Sequence, residues 1–324
     1  MSQSLKSQQN GVDVYNQFIG GQWLTGDGEL LDVLNPATGE VIARAQLADE
    51  KLADQALQAA QKAFPAWSRK TAVERADYLY RLVDLLQENR DRLARLITTE
   101  QGKPLSESDA DVGMCCDLIR FAAENTRRLE GDIIPADDPD EQIWIQKVPH
   151  GVVVGITAWN FPAALIGRKL GPALAAGNTI VLKPSEETPL TALEIVELAR
   201  QAGIPDGVVN LVNGRGRDIG NHLIQSPITQ LISMTGSVRG GRISNTVDMT
   251  MGLMPANIQT MIAQNPKVTT WSGRTVPYGY LDWWPLSFGF NALEPPFDDP
   301  EVRWAINHAI DRDQLVDPLS ERCA

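Results

Sequence analysis

Residues 151–160 read GVVVGITAWN, and three later runs have the same texture: NTIVLKPS (178–185), GVVNLVNG (207–214) and QLISMTGS (230–237). Each is a short, continuous apolar run rich in β-branched residues, which is typical of a strand buried on both faces. Helical segments lie between them, at residues 163–176, 192–202 and 218–225. This alternation predicts a doubly wound α/β fold, in which helices cover both faces of a parallel sheet.

The chain before residue 151 has a different pattern. Residues 17–46 alternate β-type runs with Gly-Gly and Asn-Pro turn chemistry, which predicts a small hairpin meander. From about residue 49 to residue 130 apolar residues recur at helical spacing, Gly102 and Pro104 interrupt the run, and a last helix is predicted over 112–129. Residues 142–148 (QIWIQKV) alternate like an exposed strand, so we expect residues 130–149 to form an arm that pairs with a second copy of the chain.

The βα alternation stops after about Arg242. Beyond it a helix is predicted over 255–264, with Pro255 at its first position, and another over 300–316. An aromatic, proline-rich stretch separates the two. The sequence therefore predicts two domains, a nucleotide-binding domain at 1–242 with N-terminal helices and a partial α+β tail at 243–324.

Composition excludes several classes of function. The net charge of -12 argues against a binder of nucleic-acid phosphates, which needs a surplus of lysine and arginine. No stretch reaches the eighteen or so apolar residues of a membrane span, and the expected location is cytoplasmic. Three cysteines and three scattered histidines give no disulfide framework and no metal site. A small metabolite is the expected partner.

The carboxyl ends of the four strands carry the candidate site, because ligands of open parallel sheets bind there. Lys183 and Glu186 present an ammonium and a carboxylate suited to the hydroxyls of an adenosine ribose, and the carboxylate would repel a 2′-phosphate. The turn at Gly236 and Ser237 offers N–H groups to a pyrophosphate. Asn160 offers an amide that can stabilise an oxyanion.

Each of these residues also has a simpler interpretation. Singly, Lys183 and Glu186 fit solvated loop positions, Gly216 and Gly220 fit turn geometry, and Asn160 fits a turn or cap. Four such strand ends in succession favour a nucleotide site.

Several long motifs, in this order and at these separations, resemble the aldehyde dehydrogenase superfamily: GGQW (20–23), LNPATGEV (34–41), EQGKPL (100–105), WNFP (159–162), LKPSEETPL (182–190) and MTGS (234–237). The resemblance covers about residues 15–242. NLVNGRGRDIG (210–220) and ISMTGSV (232–238) look most like the branch that acts on lactaldehyde and glycolaldehyde.

The resemblance implies a Rossmann-like domain that binds NAD, with NADP also admissible because Lys183 and Ser185 could accept a 2′-phosphate. It implies a small aldehyde as substrate and Asn160 as the oxyanion-stabilising amide. The implied cofactor-binding residues are Ile156, Thr157, Ala158, Trp159, Lys183, Ser185, Glu186, Gly216, Gly220, Met234, Gly236 and Ser237.

The chain departs from the family pattern after residue 242. Members of the family attack the aldehyde with a cysteine thiolate, pass a hydride to the nicotinamide, and hydrolyse the thioester with water activated by a glutamate. The Glu-Leu-Gly-Gly and Gly-Gln-X-Cys segments that supply this glutamate and cysteine do not follow, and Cys323 is the last remaining cysteine. We therefore expect a truncated enzyme that binds nucleotide with little or no turnover.

Residues 247–317 resemble instead the solute-binding proteins of peptide-type ABC importers, through PANIQTMIAQNPKV (255–268), YLDWWPLSFGFNALEPPFDD (280–299) and PEVRWAINHAIDRDQLV (300–316). A fusion of two unrelated parts is the expected origin, with a poorly packed tail. Two alternatives remain at this point. The tail binds a peptide or solute through Trp271, Trp283 and Trp284, if these are not core residues, or the chain is a non-catalytic partner of an intact enzyme.

Overall fold

The computed structural model describes residues 4–25 and 28–236. In these two ranges the chain forms seven α-helices and twelve strands, and the strands make three sheets. The helices are α1 (Glu50–Ser68), α2 (Ala72–Glu88), α3 (Arg90–Gln101), α4 (Leu105–Glu124), α5 (Ala164–Ala175), α6 (Leu190–Gln201) and α7 (Asn221–Gln225). The strands are β1 (Lys6–Gln9), β2 (Val12–Tyr15), β3 (Gln17–Ile19), β4 (Gln22–Leu24), β5 (Leu30–Leu34), β6 (Val41–Gln46), β7 (Asp132–Pro135), β8 (Gln142–Ile145), β9 (Val152–Ile156), β10 (Thr179–Lys183), β11 (Val209–Leu211) and β12 (Thr229–Met234).

Several sequence predictions fall outside the described residues. They are the domain boundary at 242, the two tail helices, the tail tryptophans, Cys323 and Ser237. All of these stay predictions.

The main sheet has six strands in the order β12-β9-β10-β11-β3-β4, of which the first four run parallel. Alternate residues of its strands enter two separate cores. Ile180 and Leu182 pack with α5 and α6 on one face, and Val181 packs with α1 on the other. Because helices bury both faces, the strands need apolar residues at every position, and the predicted doubly wound α/β fold is confirmed.

The prediction of one hairpin meander over residues 17–46 was wrong. β3 and β4 form a hairpin that joins the main sheet through β11, with Phe18 level with Leu211. β5 and β6 form a second hairpin in a separate four-stranded sheet with β1 and β2. Tertiary packing decides this division: Phe18 and Trp23 are buried with their ring centroids 4.8 Å apart, which ties the first hairpin to the main core.

The helix boundaries follow local signals with one exception. Gly102, with a φ of 88°, ends α3, because a residue without Cβ adopts the left-handed conformation at little cost. The helix predicted to run to residue 129 ends at Glu124, so that prediction was wrong by about one turn. Asn125 explains the difference, since its side-chain Nδ2 donates to the carbonyl of Phe121 at 2.7 Å and takes over an acceptor at the helix end.

The predicted arm is a two-stranded antiparallel sheet of β7 and β8, and every residue in both strands is exposed. Trp144 is 72% exposed and Ile133 is 67% exposed. The strand predicted over 142–148 is confirmed for Gln142–Ile145 only. Among the described helices, none combines the length and the apolar character needed to cross a membrane.

Candidate functional site

The carboxyl ends of the four parallel strands meet at one edge of the main sheet. The N–H of Thr157 donates to the carbonyl of Lys183 at 3.1 Å, and the N–H of Thr235 donates to the carbonyl of Ile156 at 2.9 Å. These bonds continue the ladder just past the strands. The structure therefore brings together the segments from β9, β10 and β12 that the sequence singled out.

The end of β10 supplies a buried cation. Lys183 is only 3% exposed, and its Nζ donates to the carbonyl of Pro184 at 3.2 Å and lies 3.6 Å from a carboxylate oxygen of Glu186. Burial lowers the pKa of Lys183, while the Glu186 carboxylate opposes that effect. Glu186 is half-buried beside it, and Ser185 accepts a bond from the N–H of Glu187 at 3.3 Å. An ammonium with hydrogen-bonding capacity thus faces a carboxylate, a pair that fits the two hydroxyls of a ribose.

The end of β9 forms an exposed turn. Thr157 is buried, Ala158 is partly covered, and Trp159 and Asn160 are exposed. The backbone carbonyl of Asn160 accepts a bond from Lys103 Nζ at 2.8 Å. The backbone of Asn160 is therefore anchored, while its side-chain amide lies at the surface where a ligand can reach it.

Sequence reasoning missed the residues that hold this turn. Lys103 Nζ also lies 3.3 Å from Asp111 Oδ2 and 4.3 Å from the centroid of the Phe161 ring. Asp111 is buried, and its Oδ1 accepts a bond from the N–H of Ala164 at 2.8 Å, at the start of α5. Burial raises the pKa of Asp111, and its bonds to Ala164 and Lys103 oppose that rise. The sequence does carry a signal for Lys103, which lies within the EQGKPL motif (100–105).

A second missed residue is Lys169 on α5. It is 6% exposed, and its Nζ donates to Thr235 Oγ1 at 2.8 Å, just after β12. Burial lowers the pKa of Lys169 to about 8. Met234 is partly buried and Gly236 is exposed beside this contact. Ser237 lies outside the described residues, so its predicted role stays a prediction.

Two glycines, Gly216 and Gly220, follow β11 at this edge of the sheet. A Cβ added at Gly216 or at Gly220 would meet no atom within 4 Å, so the backbone there has open space in front of it. Asn213, at the base of this segment, is buried with neither side-chain atom hydrogen-bonded. Open backbone and an orphaned buried amide are the features expected where a ligand completes the packing.

A cavity of about 560 Å³ opens beside Glu186 and is also lined by Trp159 and Glu100. Glu100 is buried and caps α6: its carboxylate accepts the N–H groups of Leu190 at 2.9 Å and Thr191 at 3.0 Å. Burial raises the pKa of Glu100 to about 7, although these bonds oppose the rise. The position of the 186–190 segment therefore depends on a buried carboxylate on α3.

Comparison with known proteins matches residues 23–251 to the model of the aldehyde dehydrogenase family. Glutarate-semialdehyde dehydrogenase of Pseudomonas putida is 47% identical over 226 residues, which cover 69% of this chain and 47% of that protein. The NADP(+) succinate-semialdehyde dehydrogenase GabD of Escherichia coli is 46% identical over 227 residues, covering 69% and 47% respectively. The chain thus spans about half the length of the curated relatives it matches. The solved lactaldehyde dehydrogenase from Escherichia coli superimposes with a TM-score of 0.70 at 41% identity, over 72% of this chain and 49% of that one.

These matches support the predicted family, but they do not support the predicted relationship of the tail or the predicted branch of the family. The family model extends past residue 242 to residue 251. The resemblance of residues 247–317 to solute-binding proteins is not supported, and the model includes residues 247–251 of that segment. The lactaldehyde branch is not singled out, because the semialdehyde dehydrogenases match at higher identity than the lactaldehyde dehydrogenase.

Proposed function

Because the chain belongs to the aldehyde dehydrogenase family, we propose that its parallel sheet binds NAD, and NADP less well, with little or no aldehyde oxidation. The observation that carries this proposal is the contact between Lys183 and Glu186 at the carboxyl edge of the sheet, 3.6 Å between Nζ and Oε2. A buried ammonium with unused hydrogen-bond donors is energetically costly. A ligand hydroxyl that accepts a hydrogen bond from Lys183 Nζ would therefore stabilise the bound state.

The remaining predicted residues fit roles around the same cofactor. Ile156, Thr157, Ala158 and Trp159, at the end of β9, would line the cofactor, and the adenine would lie against Gly216 and Gly220, where the backbone has open space in front of it. Met234, Gly236 and Ser237 would approach the pyrophosphate. When bound, NAD would supply the hydride acceptor.

A small aldehyde is the proposed substrate class, because the chain belongs to the aldehyde dehydrogenase family. Asn160 is exposed, and its amide would donate to the oxyanion that forms when an aldehyde is attacked. The proposed location remains cytoplasmic.

The described cysteines support the prediction of low turnover. Cys115 and Cys116 are both buried in α4. Burial raises the pKa of Cys116 to about 11 and raises that of Cys115 as well. Because the thiolate is the nucleophile, neither side chain is suited to attack an aldehyde near neutral pH.

Calorimetric titration of the full chain with NAD tests the binding part of the proposal. Lys183→Met should weaken NAD binding about tenfold or more, the loss expected for hydrogen bonds to a charged group. Lys62→Met, at an exposed position on α1, is the matched control and should bind like the parent. Failure of the parent to bind NAD, or equal binding by Lys183→Met and the parent, would contradict the proposal.

An assay of NADH formation with glycolaldehyde and lactaldehyde tests the second part. We expect no aldehyde-dependent signal. Turnover would show that a nucleophile is present, and Cys323→Ala would then test the last cysteine of the chain.

We also propose that the β7–β8 arm pairs with a second copy of the chain. Its isoleucines and Trp144 are exposed along both strands, which is costly for an arm that stays in water. Light scattering should show an oligomer that Trp144→Glu dissociates. A monomeric parent would contradict this assignment.

A further inference from the structure

Arg215 lies close to Lys183 and Glu186, the proposed ribose-binding pair. What is inferred from this position rests on the proposed nucleotide site. β10 and β11 are parallel neighbours with Leu182 level with Leu211. Glu186 and Arg215 each follow by four residues, so the two side chains leave the same edge of the sheet from adjacent strands. The negative charge of Glu186 acts on Arg215 and helps to raise its pKa, after the larger effect of a bond to Glu29.

Glu29 holds the Arg215 guanidinium through two hydrogen bonds. Its two carboxylate oxygens accept from Arg215 Nη1 and Nη2, both at 2.7 Å, in a bidentate pair. The Glu29 backbone is itself fixed, because its carbonyl accepts the N–H of Leu47 at 2.9 Å. Gly28 allows this approach, since a Cβ there would lie 2.5 Å from the Leu47 carbonyl oxygen.

The ion pair with Glu29 compensates the positive charge of Arg215, which would otherwise attract a phosphate. Arg215 is a planar donor that matches phosphate well, but its charge is already compensated by Glu29, and Asp218 lies 4.0 Å away. Glu186 adds a further carboxylate at the ribose. Glu29, Asp218 and Glu186 balance the three cations of this region, Arg215, Arg217 and Lys183, so a 2′-phosphate would meet no uncompensated positive charge among these side chains.

We infer that Glu29 sets the cofactor preference of the site: by engaging Arg215 it disfavours adenine nucleotides that carry a 2′-phosphate. Glu29 is a positioning residue in this account, because it acts through Arg215 and need not touch the nucleotide. Loss of its charge frees Arg215 to pair with a 2′-phosphate and leaves the rest of the edge unchanged.

The test measures the dissociation constants of NAD and NADP, which differ only in the 2′-phosphate, by calorimetry on the full chain. Glu29→Gln should lower the ratio of the NADP constant to the NAD constant about three- to fivefold, the scale of an exposed ion pair. In an Arg215→Gln background the same substitution should leave the ratio unchanged. Glu88→Gln, an exposed glutamate on α2, is the charge-matched control and should also leave it unchanged.

The outcomes separate the two proposals. NAD binding with an unaltered ratio in Glu29→Gln would overturn this inference alone. A shift of equal size in the Arg215→Gln background would overturn it too, because Glu29 would then act by another route. No NAD binding by the parent would overturn the proposed function and this inference with it.

Discussion

Glu100→Gln should remove a pH dependence from the stability of the fold. Glu100 is buried, and burial raises its pKa from the ordinary 4.5 to about 7 in the folded chain. A glutamine keeps the shape and the acceptor oxygen toward the N–H of Leu190 or Thr191, but it cannot ionise. The variant therefore separates the effect of the proton from the effect of packing.

The sign and size of the effect follow from proton binding. Between pH 4.5 and about 7 the folded chain keeps a proton on Glu100 that the unfolded chain has released, so the free energy of unfolding falls as pH rises. The slope is about 1.4 kcal/mol per pH unit. From pH 5.5 to 8 the parent should therefore lose about 2 kcal/mol relative to Glu100→Gln, most of it below pH 7, and the difference should level off near pH 8.

Urea unfolding of both proteins between pH 5.5 and 8, followed by circular dichroism, measures the difference. Glu88→Gln, which removes an exposed carboxyl, is the control and should track the parent at every pH. A constant difference between parent and Glu100→Gln over this range would refute the reasoning, since it would mean that Glu100 is ionised throughout.

Two further predictions concern buried contacts between α4 and α5. Gly167→Ala should cost about 1–3 kcal/mol of stability, because the added Cβ would lie 2.9 Å from both the carbonyl oxygen and the Sγ of Cys115. Gly216→Ala, where the space is open, should melt like the parent, and thermal melting of the two distinguishes these outcomes. Asp111→Ala should cost about 1–3 kcal/mol, because it leaves the buried N–H of Ala164 without its acceptor and removes the carboxylate partner of Lys103. A denaturant midpoint within error of the parent would contradict that last estimate.

The parallel sheet could be predicted because its signal is local. Val152 to Ile156 and Ile180 to Leu182 carry no polar side chain, and a strand covered by helices on both faces requires that pattern. The same property located the site, since the ends of such strands share one edge.

The parts that could not be predicted depend on contacts between distant residues. Nothing near Phe18 in the sequence indicates that β3 pairs with β11 and not with β5. Asp111 resembles an ordinary charged helix residue until the fold brings it against Lys103 and the start of α5. The Glu29 to Arg215 pair joins residues 186 positions apart, beyond the reach of any local pattern.

The pairing of β3 with β11 also bears on how the chain is made. Gln17 is buried, and its Oε1 accepts the N–H of Asn213 at 2.6 Å. At about 5–20 residues per second, a ribosome adds Gln17 some 10–40 s before it adds Asn213. The β3–β4 hairpin therefore stays unpaired until β11 has been synthesised. During that interval Phe18 and Trp23 lack the core that buries them in the folded chain, and exposed apolar side chains of this kind favour aggregation. Slow translation through α6 and β11 would lengthen the exposure, which makes the yield of folded protein sensitive to codon choice in a region far from the residues at risk.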